Sequence, residues 1–507
     1  MKYDVIIGME IHAQLKTKSK MFCDSSNDGE NQPPNTTICE VCTAQPGTLP
    51  VINKQAIEWT VLTGLALNCE IASETKFDRK NYFYPDLPKG YQISQYDKPI
   101  SENGYLGVNG NKIKIVRIHL EEDTGKLLHP QGANYSLVDY NRAGTPLMEL
   151  VTAPDITSAD EAKKFCQEYQ KILRYLDVSD ADMEKGQMRC EANISLQEKG
   201  MWFNDKDEIK PVDGYKLNPK IELKNINSFK AMERAVNYEI KRQTKALEEG
   251  EALHQETRGW NDSAGKTYHQ RFKESAHDYR YFPEPDLPPL NLVEVRERLK
   301  GELPELPQEK EKRFIEEYRF GTQDANFIVG DRNLASYTEK VVSEMRAWLE
   351  TLPEMEGDQN EIWTNNRKKI VKIVSGWIIS KLGGLMRANN TSINELEITP
   401  ENFAEFLTLI YQSKINTTSA QKILEIMFKE GRDPSDILEE GDFDQISDEG
   451  ELGAVIEKAI NSNPRAVEEY KSGKLNAIQF LVGQIMKETR GKAEPQTVRE
   501  LLEGKLK

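Results

Sequence analysis

Val5-Ile6-Ile7-Gly8-Met9-Glu10-Ile11-His12 runs from β-branched residues into an alternation of polar and apolar ones. That pattern predicts a half-buried strand. Residues two apart on a strand share a face, so Glu10 and His12 project together while Ile11 turns the other way. A second alternating stretch, residues 113–120, predicts another strand, which ends in Glu121-Glu122-Asp123. Three consecutive carboxylates repel one another unless a cation neutralises them. A hard divalent ion such as Mg²⁺, bound by one His and several carboxylates, answers that demand. A solvated acidic turn is the competing reading. Glu149 stands among apolar neighbours in Gly144-Thr145-Pro146-Leu147-Met148-Glu149, so it is either paired or a ligand.

Working outward, residues 1–290 read as mixed α and β, with helices at 158–176 and 228–248. Ser158 stands at an N-cap position with Glu161 three residues later. Pro283, Pro285, Pro288 and Pro289 then punctuate the chain, and strands become scarce beyond them. The pattern predicts an α+β protein with a sheet-bearing domain at 1–290, a helical domain at 291–400 and a helical tail at 401–507. Helices are expected at 308–318, 334–351 and 367–385, a loop at 353–361, and a further helix capped by Thr399 with Pro400 in its first turn.

The chain has 507 residues, too many for one core. Its composition, 38% hydrophobic and 30% charged, is that of a soluble globular protein. No apolar run reaches the roughly 20 residues that cross a bilayer. The short polar start before Val5 leaves no space for a secretory or transit segment, which predicts a cytoplasmic protein. A net charge of −16 excludes a surface that coats nucleic acid throughout. It leaves room for a local basic patch, and residues 464–507 carry nine Lys or Arg against six Glu.

Phosphate loops of the Gly-x4-Gly-Lys-Ser/Thr and Gly-x-Gly-x-x-Gly kinds are absent from the sequence. A nucleotide would have to be held through Mg²⁺ and basic or aromatic side chains, for which Arg79, Lys80 and Tyr82, or the polar run 183–193, are available. No Gly-x-Ser-x-Gly elbow or other nucleophile signature stands out, so the chain is not expected to liberate ammonia from glutamine. Of six cysteines, only Cys39 and Cys42 have metal-ligand spacing, with Cys23 as a third thiolate and no evident fourth.

Several segments together resemble the B-subunit family of the aspartyl/glutamyl-tRNA amidotransferases. They are Ile7-Gly8-Met9-Glu10-Ile11-His12-Ala13-Gln14-Leu15, Lys80-Asn81-Tyr82-Phe83-Tyr84-Pro85-Asp86-Leu87-Pro88-Lys89-Gly90, Ile118-His119-Leu120-Glu121-Glu122-Asp123-Thr124-Gly125-Lys126 and Asn141-Arg142-Ala143-Gly144-Thr145-Pro146. Further on come Glu222-Leu223-Lys224-Asn225-Ile226-Asn227, Asp278-Tyr279-Arg280-Tyr281-Phe282-Pro283 and Thr489-Arg490-Gly491-Lys492-Ala493. The resemblance spans almost the whole chain. It implies an N-terminal cradle domain built on antiparallel sheet, then a helical domain and a small helical tail that meets tRNA. It also implies a ligase that forms a carbon–nitrogen bond with glutamine as amide donor, as part of a heterotrimer. Such a B-subunit uses ATP to phosphorylate the side-chain carboxylate of Glu on tRNA(Gln), or of Asp on tRNA(Asn). Ammonia arrives from the A-subunit, a glutaminase, and the C-subunit ties the other two together. By this likeness Glu10, His12, Glu122 and Glu149 would hold Mg²⁺ with Glu121 beside them. Lys80 and Tyr82 would lie near the aminoacyl end or the nucleotide. Many members of the family complete a four-cysteine zinc site, but here Ser25 follows Cys23-Asp24. Cys23, Cys39 and Cys42 alone would leave zinc incomplete, so none is expected.

Overall fold

A computed structural model describes residues 2–506 apart from 273–278, 353, 354, 356, 442–448, 473, 475, 490–492 and 494. Asp278, Arg490, Gly491 and Lys492 of the quoted segments lie outside the described residues. The protein is α+β and divides into two compact units, Met1–Leu306 and Pro307–Lys507. The division falls beyond the Pro-rich run. There Leu292 and Leu299 are buried in the core of the first unit, with Leu290, Val295, Leu303 and Leu306 packed against it.

In the first unit the strands used below are, in chain order, β1 (Tyr3–Gln14), β2 (Glu70–Ile71), β3 (Asp78–Asn81), β4 (Tyr91–Ser94), β5 (Ser101–Val108), β6 (Asn111–Glu122), β7 (Pro146–Thr152), β8 (Met188–Glu198), β9 (Ile221–Lys224), β10 (Glu256–Asn261), β11 (Lys266–Phe272) and β12 (Phe282–Pro283). Nine of them form one sheet in the order β11-β10-β9-β8-β1-β7-β6-β5-β2, with the first strand of the chain at its centre. The sheet is antiparallel except between β9 and β10. A parallel pair needs a crossover, and the helix α3 named next supplies it.

Three helices, α1 (Lys54–Ala66), α2 (Ala159–Tyr175) and α3 (Phe229–Glu248), cover one face of the sheet. Ile7, Met9, Ile11 and Ala13 of β1 are buried in that core together with Ile118 and Leu120 of β6 and Met148 and Leu150 of β7. The alternate residues of the same strands therefore point to the face away from the helices. Ser158 caps α2 by accepting from Glu161 N, and Ser228 caps α3 by accepting from Ala231 N. A smaller sheet of order β12-β3-β4 carries an aromatic cluster.

An ionic network ties α3 to the edge strands. The fully buried Glu239 accepts from Arg242 Nη2 at 2.7 Å and from Thr267 Oγ1 at 3.2 Å. Glu256 accepts from Arg258 Nη1 at 2.9 Å and lies 2.6 Å from His269 Nδ1. Burial alone would raise the Glu256 carboxyl, but His269, Arg258 and Arg242 outweigh it and hold it below its usual range. A depressed carboxyl stabilises the fold above its unfolded value of about 4.3 and loses that contribution as pH falls through the folded value. Glu256→Gln is therefore expected to cost about 2 kcal/mol at pH 7. Thermal melts should show the gap to the wild type closing as the pH is taken below about 4.

The second unit is helical among the described residues. Arg332–Thr351 and Pro400–Tyr411 match their expected positions, the latter capped by Thr399. The helix expected at 367–385 begins earlier, at Gln359, because Asp358 and Glu361 form a reciprocal cap there. Residues 359–361, expected in a loop, are thus helical. Wider turns occur at Phe314–Tyr318 and Gly376–Leu382. The tail has its own small core, built from Leu452, Ile456, Ile478, Leu481, Ile485, Val498 and Leu502. No helix among the described residues is long and apolar enough to cross a membrane.

Candidate active site

On the face of the sheet away from the helices, cross-strand register makes a row. His12 of β1 lies opposite Glu149 of β7, and Glu149 lies opposite His119 of β6. Glu149 Oε2 is 3.3 Å from Nε2 of each histidine. Two residues along β6, Glu121 presents Oε1 3.6 Å from His12 Nε2. Two residues back along β1, Glu10 lies opposite Glu191 of β8. Ligand atoms of Glu10, His12 and Glu149 fall within 4.8 Å of one another, as do those of His119, Glu121 and Glu149 and those of Glu10, Glu191 and Glu222. Strand β7 is set against β6 by the turn before it. There Gly144, at φ 86°, donates to Asp123 O and Asp123 N donates to Thr145 O.

The structure thus brings together Glu10, His12, Glu121 and Glu149 of the expected set. It does not bring Glu122 to them. A one-residue step along a strand changes the face, and Glu122 turns to the opposite side. There Lys89 Nζ, at 2.5 Å, and Ile93 N, at 2.9 Å, both donate to its carboxylate. Glu121 occupies the place in the cluster that the resemblance assigned to Glu122. The third acid, Asp123, accepts from Arg189 Nη2 and Gln14 Nε2 at 2.9 and 3.0 Å, with Arg142 Nε at 3.5 Å. Burial would raise Asp123, but Arg189 and Arg142 pull it below the ordinary carboxylate range.

Electrostatics of the cluster follow from this packing. Burial opposes a charge on His12, yet Glu149, Glu121 and Glu10 outweigh it and raise the imidazole to about 9. Glu149 is the converse case. Burial would raise it, but His119 and His12 hold it well below its usual value. Glu10 is raised by burial and by the nearby Glu149 and Glu191. Lys224 Nζ lies 2.7 Å from Glu191 Oε2. Burial of Lys80 favours its neutral form, but Glu121, with Tyr281 and Glu149 beyond it, holds the ammonium above its ordinary range. Around the carboxylates of Glu10, Glu121, Glu149, Glu191 and Glu222 stand Lys80 and Lys224, whose ammonium forms the acids favour against burial. Carboxylates and imidazoles in this arrangement suit one hard divalent cation, which on binding would displace the proton that the acids otherwise favour on His12.

Tyr82 lies beside Lys80 in an aromatic group, edge-on to Tyr279 at 6.0 Å between ring centroids. Burial raises its hydroxyl above the usual value. His119 and Lys224 were named only within the resembling segments, and Arg189 and Glu191 only within the polar run 183–193 offered to a nucleotide. Parity could have found His119, which stands two residues before Glu121. The others enter only through strand pairing.

Cys23, Cys39 and Cys42 also meet, with their sulfur atoms within 4.8 Å. Ser25 Oγ lies 3.9 Å from Cys42 Sγ, and the buried Lys20 brings Nζ to 3.8 Å from the same sulfur. Hydrogen bonding from Cys23 lowers the Cys42 thiol to about 4.

Residues 5–296 match the GatB/GatE catalytic domain family, and residues 361–506 match the GatB domain family. Over 511 residues the chain is 46% identical to the aspartyl/glutamyl-tRNA(Asn/Gln) amidotransferase B-subunit of Caldanaerobacter subterraneus subsp. tengcongensis, covering 100% of both chains. The protein of the same name from Dehalococcoides mccartyi is 45% identical, over 99% of this chain and 98% of its own. That from Persephonella marina is 43% identical over the full length of both.

Proposed function

The chain belongs to the B-subunit family of the aspartyl/glutamyl-tRNA(Asn/Gln) amidotransferases, and from that premise we propose that it is the ATP-dependent member of the assembly. It transfers the γ-phosphoryl group of ATP to the side-chain carboxylate of Glu on tRNA(Gln), or of Asp on tRNA(Asn). ADP leaves, and ammonia then attacks the acyl carbon, displaces phosphate and loses a proton to give the amide. The reading is carried by the row His12–Glu149–His119 with Glu10 and Glu121, flanked by Lys80.

A carboxylate is a poor electrophile, so amidation needs a better leaving group than oxide, and phosphorylation provides one. Glu10, His12, Glu121 and Glu149 would hold Mg²⁺, which when bound neutralises charge on phosphoryl oxygens. Lys80 supplies a fixed positive charge next to Glu121 and Glu149, positioned to attract phosphate or substrate carboxylate. Asp123 pairs with Arg189, which lies opposite His12 in the register, while Arg142 beside it donates to Thr124 O and Gly125 O. Ammonia comes from a glutaminase A-subunit, a C-subunit joins the two, and the basic helical tail contacts the tRNA. We place the assembly in the cytoplasm. Zinc has no part in this proposal, because Ser25 stands where a fourth thiolate would be needed and Lys20 already offers a cation to Cys42.

Phosphate release by the complete complex tests the reading, with ATP, Mg²⁺ and Glu-tRNA(Gln) present. Removing the metal with EDTA is expected to abolish release, and added Mg²⁺ to restore it, while filter binding of the tRNA changes little. Release that proceeds equally with and without the mischarged tRNA would overturn it. So would release indifferent to EDTA.

A further inference from the structure

Beside the acidic cluster, the small sheet β12-β3-β4 and its flanking loops expose an aromatic stack that the proposed chemistry leaves unused. Tyr96 and Tyr281 lie nearly parallel, 9° apart, with ring centroids 4.2 Å apart. Tyr281 is half-buried, whereas Tyr96 is 61% exposed. One face of Tyr96 is covered by Tyr281, so its exposure lies on the other side. The backbone that carries the ring is anchored. Tyr96 N donates to Asp78 Oδ2 at 3.1 Å, and the buried Asp78 is itself held by Lys76 at 2.7 Å.

Inward from the stack, aromatic contacts lead to the charges. Tyr281 meets Tyr279 edge-on at 6.1 Å, and Lys80 Nζ sits 5.3 Å from the Tyr279 ring. Lys80 in turn feels Glu121 and Glu149. A flat ring laid on Tyr96 would have a cation and the carboxylate cluster on the side of Tyr281.

We propose that the outward face of Tyr96, backed by Tyr281, stacks the unpaired adenine at the 3′ end of the tRNA and so positions the aminoacyl group towards Lys80 and the cluster. This rests on the proposed function for its nucleic acid and adds the residue that holds it. Single-stranded nucleotides bind on open aromatic platforms flanked by cations. Small ligands such as ATP, by contrast, are enclosed over most of their surface. A tyrosine with more than half its area in solvent matches the first arrangement. Tyr96 is a positioning residue in this assignment, since the base it holds takes no part in the bonds that change.

The test is a cycle of filter-binding measurements on the complete complex, pairing wild type, Tyr96→Ala and Tyr96→Phe with tRNA(Gln) either intact or trimmed of its terminal adenosine. With intact tRNA, Tyr96→Ala is expected to raise Kd about tenfold, and Tyr96→Phe to restore it. Trimming should weaken the wild type by a similar factor and leave Tyr96→Ala no weaker than before, because the two changes remove the same contact. Equal losses for Tyr96→Ala on both tRNAs would overturn the platform, as would no loss on either. A raised KM for ATP with unaltered tRNA binding would assign the ring to the nucleotide and overturn it too. A wild type that binds neither tRNA would sink the parent reading itself, which separates the two failures.

Discussion

Glu149→Gln is expected to reduce phosphate release at least about 1000-fold while tRNA still binds, because a single carboxylate serves two sets of ligand atoms. Glu149 belongs with Glu10 and His12 on one side and with His119 and Glu121 on the other. An amide keeps the volume, removes the charge and turns one oxygen into a donor, which neither a metal ion nor a protonated imidazole can use. The fold should survive. Without Glu149, His12 loses a principal partner among those that raise it to about 9, and it can become neutral in its buried position. A titration of the complex with Mn²⁺ in place of Mg²⁺ gives a readout free of turnover. Wild type should bind the ion and Glu149→Gln should not. A loss of release smaller than about tenfold, less than even an outer-shell change costs, would show that the cluster is structural.

How far the sequence showed this site depends on which signal is asked for. Alternation in β1 placed Glu10 and His12 on one face, and the apolar neighbours of Glu149 marked it as an acid in need of a partner. Caps at Ser158 and Thr399 were equally legible, since a hydroxyl before a helical pattern satisfies a free backbone N–H. Those are local signals. Register is not local: His12 and Glu149 are far apart in the chain, and no spacing rule says that they stand opposite each other. The same gap hid Glu191 and Lys224, which join the site only because β8 pairs with β1 and β9 with β8. It also left the fates of three adjacent acids undecided. In the folded chain Glu121 faces the cluster, Glu122 faces Lys89 and Asp123 faces two arginines. The parallel pairing of β9 with β10 was likewise unreadable, because both strands are short and the crossover helix carries no mark of direction.

Glu121→Gln and Glu122→Gln, one residue apart, are therefore expected to fail in different ways. Glu121 shares its face with His12, and its Oε2 accepts from Ser94 Oγ at 3.2 Å, a contact an amide oxygen can still make. Its replacement should cost about 100-fold or more in phosphate release, the scale of losing one preorganised electrostatic partner, with little change in thermal stability. Glu122 is 3% exposed and neutralises Lys89. An amide there leaves a half-buried ammonium without its partner and weakens the bond from Ile93 N, which holds β4 against the end of β6. Breaking such a pair costs about 3 kcal/mol, so Glu122→Gln should melt several degrees lower. Below its melting temperature it should release phosphate within about tenfold of the wild-type rate, since Glu122 reaches the site only through the strand it anchors. Thermal melts and single-turnover phosphate release on the same two preparations decide the matter. If Glu122→Gln instead kept its stability and lost its chemistry, while Glu121→Gln worked normally, the ligand set would have to be rebuilt around the opposite face of β6.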